Sequence, residues 1–375
     1  LDHHPTWGGF WRARVLTTLG ASKVRLGDDG AAKPLEEARR LLNAPDVQGD
    51  QWAIEHYRGT TDLYLGLLAR GEGDLPRAEQ AYGEARRIFL RNDEPIPAAR
   101  AYTNLAYVWM LQGSLQRATQ GAREAVRERR EQGEAIGLAL SLNTLAITEN
   151  RAGATMRARL HAREALSLLR RAHQRGRAEP RRETAMVHIN LVGIFRGLAQ
   201  RGPLREIELV QRDWERAQRN LKEALERKES LEPYYRFDLH NQEGTLYKDW
   251  ANWIALRDPT AVDQYEEYMH RADVAFERAH QLAQAEELAV EQADNLEDWA
   301  WVFHLRHAYR GEMPETESPS TLREETLTRL DKAEALLSPR ADPGRGGLRA
   351  HYIMGSVHHQ WGRYLHKFGD NLREA

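Results

Sequence analysis

Residues 101–169 read AYTNLAYVWMLQGSLQRATQGAREAVRERREQGEAIGLALSLNTLAITENRAGATMRARLHAREALSLL, and in this stretch one helical hairpin is written twice. Tyr102, Leu105, Ala106, Gly113, Leu115, Ala118, Ala122 and Ala125 stand forty residues ahead of Leu142, Leu145, Ala146, Gly153, Thr155, Ala158, Ala162 and Ala165. A fixed period of this length marks a solenoid: a single unit cannot bury its apolar face alone, and stacking buries a continuous core. Small residues at Ala118 and Ala158 let two antiparallel helices approach, and the glycine between the helices permits the turn backbone.

The register extends upstream. Gly73 lies forty residues before Gly113, in a hairpin that starts near Gln51 and carries Leu65, Gly66, Leu75, Ala78, Tyr82 and Ala85. Before it, a helix is expected over Thr6–Val24, with Trp7, Phe10, Trp11 and Val15 on one side, broken by Asp28-Asp29-Gly30. A second follows over Lys33–Asn43, with Leu35, Ala38, Leu41 and Leu42 as its stripe and Pro34 in its first turn.

Downstream the register stretches. Leu191 and Phe195 open a unit closed by Trp214, Ala217, Leu221 and Ala224, with extra residues around Gly202-Pro203. Gly244, Tyr247 and Trp250 open the next, closed by Ala272, Phe276 and Ala279. Asn295-Leu296, Trp299 and Phe303 open another, closed by Leu327, Leu330, Ala333 and Leu337, with an exposed, mobile loop expected from Gly311 to Thr321. Met354-Gly355, Gly362 and Tyr364 begin a last, truncated unit. The expected organisation is an N-terminal hairpin over 1–50, regular repeats over 51–180, and expanded repeats with insertions over 181–375.

Composition narrows the function. Lys+Arg 54 against Asp+Glu 56 leaves no global electrostatic reason to expect nucleic acid or an anionic membrane. No run approaches the ~18 apolar residues of a membrane span. The absence of cysteine removes disulfides, thiolate nucleophiles and cysteine zinc sites, and fits a cytoplasmic protein. The chain starts at Leu1 and stops inside an expected helix, so a fragment of a longer protein is expected.

These residues resemble the tetratricopeptide repeat: a Leu-Gly/Ala step in the first helix, a turn glycine, and alanine and aromatic positions in the second. Asn104-Leu105-Ala106 and Asn190-Leu191 match the family's Asn-Leu-Gly/Ala step. The period of forty exceeds the family's usual ~34 and is similar to the long repeats of kinesin light chains and of the sensor arrays of bacterial STAND signal-transduction ATPases. The resemblance implies an all-α, right-handed α-solenoid superhelix of about eight hairpins, the first helix of each lining the concave side. It places Tyr107, Asn143, Asn150, Arg196, Asn241, Lys248, Asp298, Trp301, Tyr352 and His359 on that ligand-facing surface. A mixture of amides, aromatics and both charges suits a peptide, a protein segment or a small polar ligand. The lysine positions of the family's carboxylate clamp hold Leu63 and Thr103 instead.

The function so implied is a non-catalytic binding module, the sensor region of a larger ATPase; the alternative is an interaction scaffold, or a recognition array joined to an effector such as a protease. No P-loop, nucleophile elbow, zincin or dinucleotide fingerprint occurs, so no catalytic residue, cofactor or metal is assigned. His351 and His358 share a spacing that suits a helix face but lack a carboxylate at matching spacing. The run Arg123–Arg130, interleaved with Glu124 and Glu128, reads as a solvated, ion-paired face. Arg170, Arg171, Arg175, Arg177, Arg181 and Arg182 make a denser basic segment, the best candidate for an anion contact.

Overall fold

A computed structural model describes residues 8–26, 28–200, 206–258, 260–309, 318–339 and 348–368. The described residues form fifteen α-helices and two short 3-10 turns, with no strand. The fold is a tetratricopeptide-like helical solenoid. Seven successive helix pairs are followed by α15 (Leu348–Phe368), where the sequence led us to expect about eight hairpins. The chain divides into two compact units, Leu1–Val187 and His188–Ala375.

The first unit holds α1 (Gly9–Leu26), α2 (Ala32–Leu42), α3 (Gln51–Gly71), α4 (Leu75–Arg91), α5 (Pro95–Leu111), α6 (Leu115–Gln132), α7 (Ala135–Arg151) and α8 (Thr155–Gln174). Each odd-numbered helix packs along the next even one, and α1 also touches α3, as α5 touches α7. Asp28 ends the first helix region by accepting from the Gly30 N–H at 2.8 Å, which sets up the 3-10 turn Asp29–Ala31. Thr6 and Trp7 lie outside the described residues.

The forty-residue period is visible as backbone geometry. Gly73, Gly113 and Gly153 have φ of 77°, 79° and 84°, in the left-handed region where a side chain is strained. In each turn the next N–H reaches back to a carbonyl five residues earlier: Asp74 to Ala69, Ser114 to Trp109 and Ala154 to Glu149, at 2.8, 2.9 and 2.8 Å. These bonds satisfy carbonyls that a helix end would leave open. Within the hairpins the small residues let helices close: Ala78, Ala118 and Ala158 are fully buried.

The second unit comprises the end of α9 (Arg181–Gln200), then α10 (Ile207–Leu225), α11 (Pro233–Arg257), α12 (Val262–Ala285), α13 (Ala289–Ala308), α14 (Pro319–Leu337) and α15. Helices α11 and α12 are longer than those of the regular repeats, so the expansion of the period resides partly in the helices themselves. The Gly244 position would place a Cβ 2.7 Å from the Phe276 ring, as Gly66 would against Tyr82 at 2.8 Å, so both repeats close by setting an aromatic ring on a glycine. A core of Leu296, Ala300, Leu330, Ala333, Ile353 and Val357 joins α13, α14 and α15. The loop expected from Gly311 to Thr321 ends earlier: Ser318 caps α14 by accepting from the Thr321 N–H at 3.1 Å, and Pro319 occupies the first turn. Residues 310–317, and the insertion at Gly202-Pro203, lie outside the described residues. No described helix is long and apolar enough to cross a membrane.

Candidate functional site

In the second unit the first helices of successive pairs carry a continuous line of polar side chains. Asn241, Thr245 and Lys248 recur four and three apart on α11, the spacing of one helix face. Opposite them, Asn295 and Asp298 lie on α13. Asn295 Nδ2 donates to Asn241 Oδ1 at 3.0 Å, and Lys248 Nζ donates to Asp298 Oδ1 at 2.7 Å. The Thr245 hydroxyl donates to the Asn241 carbonyl at 2.8 Å and sits 3.4 Å from Asp298 Oδ2. The line continues to α9, where Gln200 Nε2 donates to Asp249 Oδ2 at 2.6 Å and Arg196 Nε lies 3.7 Å from the same oxygen. It also continues to α15, where the Ser356 hydroxyl donates to Glu297 Oε1 at 3.1 Å. With its amide oriented to satisfy both ends, Gln360 donates to that carboxylate at 3.0 Å and turns its oxygen toward Trp301 Nε1 at 3.3 Å. Arg363 lies over the Trp301 ring at 4.9 Å.

The electrostatics are those of partly buried carboxylates and cations packed together. Lys248 sits among the carboxylates of Asp298, Asp249 and Glu297, and Asp249 lies between Lys248 and Arg196. Burial opposes the charge on Lys248, yet the carboxylates of Asp298, Asp249 and Glu297 hold its ammonium above the usual lysine range. Burial raises Asp249 against the pull of Lys248 and Arg196. Burial and the neighbouring Asp298 carboxylate push Glu297 up to about 7, so it holds a proton that an exposed glutamate would have lost. Further along α13, burial and the cations Lys367 and Arg363 hold His304 down to about 4, which leaves its imidazole neutral. The Asn295 side chain is fully buried, and among the described residues nothing donates to its Oδ1. Such an arrangement presents hydrogen-bond donors and acceptors of both charges along the first helices.

Of the residues singled out in the sequence, the structure brings together Arg196, Asn241, Lys248 and Asp298, and through Glu297 also Trp301. Tyr352 is 77% exposed and His359 is exposed on the same helix, α15. Tyr107, Asn143 and Asn150 lie in the first unit. Asn143 is only 3% exposed, and Tyr107 packs under the Arg70 guanidinium at 5.3 Å. Beside Asn150, the buried Glu149 carboxylate pairs with Arg123 at 3.0 Å and His161 at 2.8 Å. Sequence reasoning missed Asp249, Glu297 and Gln360. The signal for the first two was their adjacency to Lys248 and Asp298, but only the pairing between helices shows that both members of each doublet take part.

The other candidates resolve as follows. In the run Arg123–Arg130, Arg130 pairs with Glu164 at 2.7 Å and Glu128 with Arg86 at 2.8 Å, so the face is ion-paired. It is not solvated throughout. Arg129 is 5% exposed, pairs with Glu134, and is held down to about 10 by burial and by Arg100. In the later basic segment Arg170, Arg171, Arg175 and Arg177 are exposed. His358 Nε2 pairs with Glu334 Oε1 at 2.9 Å, and the described residues hold no group of three or more His, Cys, Asp or Glu suited to a metal ion.

No protein-family model matches the chain, and no curated protein sequence matches it. Among solved structures it is similar to the apo form of RapI, with a TM-score of 0.52 and 12% identity over 86% of this chain and 99% of that one. It is also similar to NprR in complex with its cognate peptide NprX, with a TM-score of 0.51 and 11% identity over 96% of this chain and 85% of that one. At these identities the likeness is one of fold, that of tetratricopeptide-like helical repeats.

Proposed function

We propose that this chain is a non-catalytic, cytoplasmic peptide- or protein-binding module whose ligand lies along the first helices of the expanded repeats, within the organisation 1–50, 51–180 and 181–375 read from the sequence. The observation that carries this reading is the line of buried polar groups on α9, α11, α13 and α15. It combines buried carboxylates, a buried lysine and an Asn295 oxygen to which no described residue donates. The fold likeness to NprR, a protein solved with its cognate peptide, supports a peptide as the ligand. A peptide offers backbone donors and acceptors at a regular spacing, which matches amides and carboxylates repeated on successive helices.

The test is selection of peptides from a random displayed library on the full chain, followed by titration of the selected peptides against Asn241→Ala and Asp298→Asn. Weakening by about tenfold in each variant, the loss of one or two hydrogen bonds, is the expected result. Selected peptides that bind both variants as tightly as the parent would place the site elsewhere. A narrower reading, motivated by the long repeat period, makes the array the sensor arm of a linked signal-transduction ATPase. Under that reading the selected peptide should raise the ATPase rate of the linked protein, and an unchanged rate leaves the scaffold or protease-linked alternative.

A further inference from the structure

A cleft of about 370 Å3 opens in the first unit among α2, α3 and α4, and the proposed peptide site makes no use of it. Its rim carries four exposed arginines, Arg39, Arg77, Arg87 and Arg91; its floor is Leu65, Ala81, Ile88 and the carboxylate of Asp62. The rim arginines have carboxylate partners: Arg77 lies 3.1 Å from Glu36, Arg87 pairs with Glu84, and Arg91 lies 3.8 Å from Glu55. Arg58, in the wall, donates to the Leu42 carbonyl at 2.8 Å through Nε.

Asp62 differs from all of these. It is 8% exposed, and among the described residues its carboxylate accepts no hydrogen bond; the nearest cation is Arg39, at 4.0 Å. Its side chain is 12% exposed, so the carboxylate reaches the cleft and its water while taking no donor from the protein. The groups facing it are Arg39 from α2, Glu55 and Arg58 from its own helix, and Arg77, Glu84 and Arg87 from α4. Burial raises it to about 6, with Arg39 and Arg58 pulling it down and Glu84 pushing it up, so at neutral pH it is an anion without a donor.

We propose that this cleft binds a small zwitterion, its protonated amine against the Asp62 carboxylate on the floor and its carboxylate or phosphate among Arg39, Arg77, Arg87 and Arg91 at the rim. The ammonium supplies the donors that the protein does not give Asp62, at a carboxylate that is largely withdrawn from solvent, where an ion pair is screened less than on the open surface. The planar arginine forks suit a carboxylate or a phosphate equally. The short carbon chain between the two charges lies on Leu65, Ala81 and Ile88. Discrimination resides in Asp62, because the rim alone would accept any small anion.

Calorimetric titration of the full chain with 4-aminobutyrate and with O-phosphoethanolamine tests this, against ethylamine and inorganic phosphate as half-molecules. At neutral pH at least one zwitterion should bind about tenfold tighter than either half, and which one it is assigns the anionic end. Binding should weaken as pH falls through about 6, where Asp62 takes up a proton. Asp62→Asn, nearly the same shape, should abolish the preference for the zwitterion while keeping the melting temperature at or above that of the parent. Arg39→Gln with Arg77→Gln should weaken zwitterion and phosphate alike. Zwitterions that bind no better than their halves, or an undiminished preference in Asp62→Asn, would overturn the proposal.

Discussion

The Glu297 carboxyl is the residue whose chemistry reaches furthest along the line of first helices, since it joins α13 to α15 and is pushed up to about 7 by burial and by Asp298. Because its folded value lies above the ordinary 4.5, the native state holds a proton that the unfolded chain releases between those two values. Stability contributed by this group is therefore present below about 4.5 and lost as pH rises to about 7. His304 works in the opposite direction: its folded value of about 4 lies below the ordinary 6.5, so its contribution is lost as pH falls through that interval. The parent protein mixes the two slopes. Glu297→Gln should remove the glutamate's slope alone, and denaturation of parent and variant between pH 4.5 and pH 7 should show their stability difference changing with pH. A constant difference would mean that Glu297 titrates as an exposed acid.

At the scale of an element, the first helices are tied to one another by a recurring polar contact. Thr17 meets Thr61 between α1 and α3, Thr103 meets Ser141 between α5 and α7, and Asn295 meets Asn241 between α13 and α11, at 2.8, 2.8 and 3.0 Å. In the expanded repeats a charged pair adds to it. Replacing Asp298 by Ala leaves the Lys248 ammonium buried without its 2.7 Å partner and should destabilise the protein by about 3–5 kcal/mol in urea denaturation. Lys248→Met with Asp298→Leu should recover most of that loss, because neither charge then needs solvation. The hairpins themselves depend on close approach. Gly244→Ala would bring a methyl to 2.7 Å from the Phe276 ring and should cost about 1–3 kcal/mol by overpacking. Ala118→Leu should act likewise in the regular repeats, by about the same amount, since Ala118 is fully buried. A melting temperature equal to the parent's in either variant would contradict the register.

At the scale of the whole molecule, two compact units carry two separate candidate sites, one on the first helices of the second unit and one in the cleft of the first. A ligand that binds only the native state at a hundredfold excess over its dissociation constant stabilises by about 2.7 kcal/mol. Hydrogen exchange locates where that protection falls. A selected peptide should slow amides of α11, α13 and α15, and a zwitterion those of α2, α3 and α4; the reverse pattern would exchange the two assignments. The sequence by itself determined the helical class, the forty-residue register and the places of the hairpin turns. These depend on local rules: glycine at positive φ, alanine where helices touch, and period-3.6 apolar faces, all readable from spacing. It also assigned Arg196, Asn241, Lys248 and Asp298 to the first helices of their pairs, because the first helix of each pair is recognisable. It did not show that Lys248 and Asp298, fifty residues apart, pair with one another, that burial raises Glu297, or that Asp62 lies largely buried with no hydrogen bond from a described residue. Those outcomes depend on which face of each helix meets its neighbour and on how much water remains there, and both are set by the packing of helices distant in the chain.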